Sequence, residues 1–136
     1  MHAPRLLHAM LPVSDLERSL AFYARWFDLV EQRRIHFPEI PRTLVFLANR
    51  GADAAAMQLE LWHEPLATTG AVPSHSSVAL SGHIGIGVRD ILGLVAALRA
   101  AGVSVLRAPA ALRPGGRVIA MIQDPDGHEL ELLADD

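Results

Sequence analysis

The sequence predicts an α+β fold built from two copies of a βαβββ module. Three observations carry that expectation. The stretch HAMLPVSDL from His8 is answered by HIGIGVRDI from His83, with Val, Asp and Leu or Ile at matching offsets. MQLELW, Met57 to Trp62, is answered by HELELL, His128 to Leu133, each centred on Leu-Glu-Leu. Each copy opens with a strand-like run followed at once by helix-start chemistry. The two histidines stand 75 positions apart and the two glutamates 71, so one repeated module with a small loop difference explains both.

In the first module, Arg5 to Val13 reads as a strand. Ser14 and Glu17 form an S-x-x-E capping box, and Leu16, Leu20, Tyr23 and Phe27 recur at helical spacing. Asp28 ends that helix, and strands are expected near Leu29 to Phe37, Thr43 to Ala48 and Ala56 to His63. In the second module, Gly82 to Val88 is the strand. Asp90 caps a helix that carries Leu94, Val95 and Leu98 and stops at Gly102. Strands follow near Val103 to Arg107, Arg117 to Gln123 and His128 to Leu133, the last two joined by the tight turn DPDG. Residues 1–64 thus form one module and 82–136 the other. Residues 65–81, rich in Pro, Gly, Ser and Thr, read as a linker or lid. Its length lets the modules pair within one chain or across a dimer, and His75 on it is placed to reach over a site.

Composition narrows the function. The chain has 136 residues, 51% of them hydrophobic, enough to bury a real interior. A net charge of −3 argues against nucleic acid as a partner, because phosphate backbones call for a basic surface. The absence of cysteine removes disulfides and thiolate chemistry. No apolar run is long enough to span a bilayer, and the first residues lack a signal-peptide core. The expected setting is the cytoplasm.

Strand alternation sets the side each residue faces. His8 shares a face with Met10 and Pro12, while Leu7, Leu11 and Val13 face the helix. Glu60 shares its face with Gln58 and Trp62, and Glu131 with Glu129 and Leu133. His83 shares its face with Gly85 and Gly87, which leave room for a substrate. Each module is then a trough lined by one His and one Glu on the side away from the aliphatic core. Two troughs facing each other would gather His8, Glu60, His83 and Glu131. Two imidazoles and two carboxylates suit a borderline divalent ion, and an octahedral ion would keep two open positions. Trp62, inward on the Glu60 strand, would make the pocket apolar.

With these motifs, the chain resembles the vicinal oxygen chelate superfamily, from about Arg5 to Leu133, and within it glyoxalase I, the lactoylglutathione lyase. The resemblance implies a homodimer in which each metal takes His8 and Glu60 from one chain and His83 and Glu131 from the other. It implies nickel as the ion, with cobalt or zinc as alternatives. It also implies the reaction: isomerisation of the hemithioacetal of methylglyoxal and a thiol, through an enediolate stabilised by the metal as Lewis acid. Glu131 is the first choice of base, with Glu60 acting from the other face.

Asp28 stands at a helix end where the family tends to have Gly, and three expected substrate anchors are also replaced. Pro12 stands where the family usually has Arg, Glu64 where it has Asn, and Ala79 where some members have Arg. Loss of those donors, and like-charge repulsion at Glu64, put glutathione itself in doubt. Arg113 and Arg117, in LRPGGRV, remain as anion binders for the substrate. The competing expectations are another superfamily reaction, of epimerase or dioxygenase type, and a metal-free protein that sequesters a small drug.

Overall fold

The structure is a computed structural model that describes residues 3–65 and 82–135. His75 and Ala79, with most of the expected linker, lie outside the described residues. The chain divides into two compact units, Met1–Val78 and Ala79–Asp136.

Unit 1 runs β1 (His8–Val13), α1 (Leu16–Phe27), β2 (Leu29–Phe37), β3 (Arg42–Asn49) and β4 (Gln58–His63). Its sheet has the order β1-β4-β3-β2. β1 and β4 are parallel; the other pairings are antiparallel. A parallel pair needs a long crossover, and α1, β2 and β3 supply it. Unit 2 repeats the plan with β5 (His83–Val88), α2 (Ile91–Ala100), β6 (Val105–Ala111), β7 (Val118–Gln123) and β8 (Glu129–Ala134), in the order β5-β8-β7-β6. The two-module α+β architecture read from the repeats is the one found.

One face of each sheet forms the core. Val45, Leu47, Leu59 and Leu61 are buried in unit 1, and Ala120, Ile122, Leu130 and Leu132 in unit 2. Each fully buried leucine contributes about 1.5–3 kcal/mol of hydrophobic stabilisation. Helix α1 buries Leu16, Ser19, Phe22, Tyr23 and Phe27, with Phe22 edge-on to both Tyr23 and Phe27. Arg34 on β2 ties this side to the helix, pairing with Glu31 at 2.7 Å and Glu17 at 3.6 Å. The hydrogen bond from Arg34 holds the Glu31 carboxyl below its usual range. The small stability this exposed pair adds is therefore present above the ordinary carboxylate pKa and is lost as pH falls through the lowered one.

Helix ends show where local reading holds and where it slips. Asp28 closes α1 in the left-handed region, φ 51°, and its N–H bonds the Tyr23 carbonyl. Asp90 caps α2 by accepting from the Gly93 N–H at 2.9 Å. At the start of α1, however, the cap is Asp15 and not Ser14. Its carboxylate accepts the Arg18 N–H at 3.0 Å, while the Ser14 hydroxyl accepts from the Arg18 guanidinium. Leu7 does not face the helix either: it precedes β1 and is 57% exposed. Leu20 is half-buried, and Ser19 and Phe22 take the interior positions instead. In DPDG, Asp124 is buried and accepts the N–H groups of Asp126 and His128, both at 2.9 Å, while Gly127 supplies φ 86°. Among the described residues, no helix is long and apolar enough to cross a membrane.

Asp15→Ala removes the cap of α1 and is expected to lower stability by about 1 kcal/mol. Urea unfolding followed by circular dichroism checks it, and an unchanged midpoint would return the cap to Ser14.

Candidate metal centre

Register builds a His–Glu pair in each unit. In unit 1, β1 pairs with β4 so that His8 stands opposite Gln58, and Met10 opposite Glu60. His8 and Glu60 are then diagonal neighbours on one face. In unit 2, His83 stands opposite Glu129, and Gly85 opposite Glu131, which repeats the diagonal. The His8 Nε2 lies 2.9 Å from Glu60 Oε2, and the His83 Nε2 lies 3.0 Å from Glu131 Oε2. Each contact joins one nitrogen and one oxygen, both of which carry lone pairs that a divalent cation can accept. Among the described residues, no three His, Cys, Asp or Glu side chains gather closely enough to hold an ion by themselves. The structure thus brings together the expected ligands in two pairs, one per unit.

The pairs differ in burial. The Glu60 side chain is only 7% exposed and the Glu131 side chain 19%, while the histidines are open at 43% and 45%. Neighbours explain the difference. Glu60 lies in a row across the sheet that runs Met10, Glu60, Phe46, Arg33. The matching row in unit 2 runs Gly85, Glu131, Met121, Arg107. Phe46 is buried and meets the His8 ring edge-on at 5.5 Å. In unit 2 a glycine stands where Met10 does, and a flexible Met where Phe46 does.

Both arginines were missed by strand alternation, and for the same reason. The β2 register shifts between Glu31 and Arg33, and the β6 register between Val105 and Arg107. A β-bulge inserts one residue and re-aims the side chains beyond it. Arg33, rather than Gln32, therefore stands opposite Phe46. The bulges break the period of two, so no pattern in the sequence pointed to either residue.

The remaining expectations fare unevenly. Trp62 lies on the Glu60 face, half-buried, but its indole N–H donates to Glu64 Oε1 at 3.0 Å and its ring lies under the Arg42 guanidinium at 4.2 Å. Arg42 also donates to Glu64 Oε1 at 2.7 Å, with both side chains largely buried. Glu64 is thus paired within its own cluster rather than presented as a lone charge. Arg113 and Arg117 lie in the exposed turn between β6 and β7, and neither enters an ion pair among the described residues. The space above Gly85 and Gly87 is partly taken. A Cβ at 85 would meet the Leu133 side chain at 3.2 Å, and one at 87 the Asp135 carboxylate at 2.7 Å. These glycines admit their β8-side neighbours and are not an open floor.

Residues 5–132 match the Glyoxalase/Bleomycin resistance protein/Dioxygenase superfamily. The chain belongs to that superfamily. Its relatives there include the lactoylglutathione lyase of Haemophilus influenzae, 36% identical over 95% of this chain and 91% of that one. A probable lactoylglutathione lyase of Vibrio cholerae is 34% identical over 95% and 89%. Among solved structures, the trypanothione-dependent glyoxalase I of Leishmania major superposes with a TM-score of 0.75 at 33% identity, covering 97% of this chain and 87% of that one. This superfamily membership accounts for the repeated βαβββ plan of both units.

In the metal-free protein, His8→Ala leaves the Glu60 carboxylate buried without its imidazole and should cost about 1–3 kcal/mol. His83→Ala should cost less, because water reaches Glu131 more easily. Equal losses in thermal unfolding would show that the two half-sites are not distinguished by burial.

Proposed function

We propose that the protein is a divalent-metal-dependent, glyoxalase I-like lyase that isomerises the hemithioacetal of an α-oxoaldehyde, such as methylglyoxal, and a thiol. The observation that carries this reading is the repeated His–Glu contact on the face of each sheet opposite its core. The lactoylglutathione lyase relatives support the reaction class. We further propose that the half-sites meet in a homodimer, His8 and Glu60 of one subunit opposite His83 and Glu131 of the other.

The donor set fits the ion. Two neutral imidazoles and two carboxylates balance a dication, and both carboxylates already point an oxygen at the neighbouring imidazole nitrogen. Nickel, cobalt and zinc all accept such ligands. When bound, the ion would supply Lewis-acid stabilisation to the two adjacent substrate oxygens.

The chain's own residues divide the rest. Glu131 takes the proton from the carbon that bears sulfur and returns it to the neighbouring carbon, so no net oxidation or reduction occurs. Its greater exposure and its small or flexible row neighbours give it room to move. Glu60, closed in by Phe46, is suited to hold position. Met10, Pro12 and Leu44 line the same face and keep water from the reacting carbons. The Arg42–Glu64–Trp62 cluster and Pro12 favour a thiol other than glutathione, because the cluster's charges satisfy each other. The fold accommodates such a change, since the Leishmania relative is described as trypanothione-dependent.

Protein stripped with a chelator should be inactive and regain turnover with nickel, cobalt or zinc, assayed with methylglyoxal and a panel of thiols. Stoichiometric metal without turnover for any thiol would reject the lyase reading. Glu131→Gln should retain metal yet lose about 10²–10⁴-fold in kcat, and survival of the rate would remove Glu131 from the role of base. Mixing His8→Ala with His83→Ala protein tests the shared site. A mixed dimer places both changes in one site and leaves the other intact, so activity should return on subunit exchange. No recovery in demonstrated mixed dimers would place each site within one chain.

A further inference from the structure

Arg33 is the one feature of the Glu60 row that neither the ligand set nor the core explains. It lies two strands from Glu60 in the same row, on the same face, and the bulge at Gln32 puts it there. Without that bulge Gln32 would face the site, and Arg33 would turn toward the helix. Bulges beside active sites commonly serve to re-aim one side chain.

Its guanidinium is held yet uncommitted. The guanidinium carbon sits 4.3 Å from the centroid of the Phe46 ring, the ring that also meets His8 at 5.5 Å. The two distances together keep it within about 10 Å of the His8 ring, a reach set by one shared aromatic contact. Its neighbours in sequence and space are already paired: Arg34 with Glu31 and Glu17, Arg42 with Glu64. The Arg33 guanidinium makes no ion pair or hydrogen bond among the described residues. Arg107 occupies the matching row position in unit 2, but no ring contact fixes its guanidinium among the described residues, so the inference is confined to Arg33.

Charge then decides the ligand. Two carboxylates and a dication cancel, which leaves Arg33 as uncompensated positive charge at the edge of a largely apolar face. Its fork of N–H donors matches a carboxylate in two parallel bonds. We propose that Arg33 is a specificity-determining residue that binds a carboxylate on the substrate, a few bonds from the reacting carbons. This deepens the lyase reading above and takes from it the identity of the site. The carboxylate can belong to the thiol or to the α-oxoaldehyde, and the test separates the two.

The thiol arm compares 3-mercaptopropionate with 2-mercaptoethanol, each with methylglyoxal. The aldehyde arm compares 4,5-dioxopentanoate with methylglyoxal, each with 2-mercaptoethanol. Metal-loaded wild type, Arg33→Met and Arg33→Lys are assayed in both arms. Arg33→Met should raise KM for a carboxylate-bearing pair by about 10- to 100-fold, leave kcat and the neutral pair nearly unchanged, and be partly rescued by Arg33→Lys. A rise in the thiol arm, the aldehyde arm or both assigns the carboxylate accordingly. No rise in either arm, or an equal rise for the neutral pair, overturns the proposal. A second readout needs no turnover: ligand-observed NMR with 3-(methylthio)propionate and 2-(methylthio)ethanol. Wild type should prefer the carboxylate and Arg33→Met should not. If that preference is found while no hemithioacetal reacts, the lyase reading falls and the role of Arg33 stands. If hemithioacetals react but wild type shows no preference, or Arg33→Met keeps it, the role of Arg33 falls alone.

Discussion

The parallel pairing of the first and last strands of each module is the constraint on which the site depends. It brings residues about fifty positions apart in sequence onto one diagonal: His8 with Glu60, and His83 with Glu131. A slip of one residue would turn every side chain of that strand to the other face. It would drive Leu59 and Leu61 out of the core and Glu60 into it. The hydrophobic pattern that stabilises the sheet therefore also aims the His and Glu side chains proposed as ligands, and neither can be altered alone.

Duplication gives two His–Glu pairs of the same plan, but they are not equivalent. Phe46 and Met10 close over Glu60, whereas Gly85 and Met121 leave Glu131 more open. A carboxylate that must keep its place benefits from a rigid aromatic neighbour and loss of solvent. One that must accept and release a proton needs freedom to turn. The repeat supplies a matched pair of His–Glu contacts, and the differing residues in the rows around them set how exposed each carboxylate is; the proposed division of duties rests on that difference.

Much of this was legible in the sequence. The repeat was visible because His, Glu and their neighbours recur, and alternation assigned His8, Glu60, His83 and Glu131 to the face away from the core, where the structure places them. Local hydrogen-bond chemistry also read well at Asp28, Asp90 and Gly127, where one residue type has a clear advantage. What escaped depended on contacts distant in sequence or on broken periodicity. Arg33 and Arg107 were hidden by bulges, which add a residue without leaving a signal in the hydrophobic pattern. Glu64 was read as a repulsive charge because Arg42, 22 positions earlier, becomes its partner only when β3 lies beside β4. Gly85 and Gly87 suggested empty space, but Leu133 and Asp135 fill part of it from the neighbouring strand and its continuation.

The separation of faces explains how such a site can vary without loss of the fold. The core rests on residues such as Val45, Leu47, Leu61, Leu130 and Leu132, all on the far side of their sheets. In each unit an imidazole nitrogen and a carboxylate oxygen lie within 3.0 Å of each other, and no buried side-chain polar atom among the described residues lacks a partner. Arg42, Trp62 and Glu64 form a cluster whose charges satisfy each other, apart from those core residues. A change within such a cluster leaves untouched the register that holds His8 against Glu60, because the core sets it.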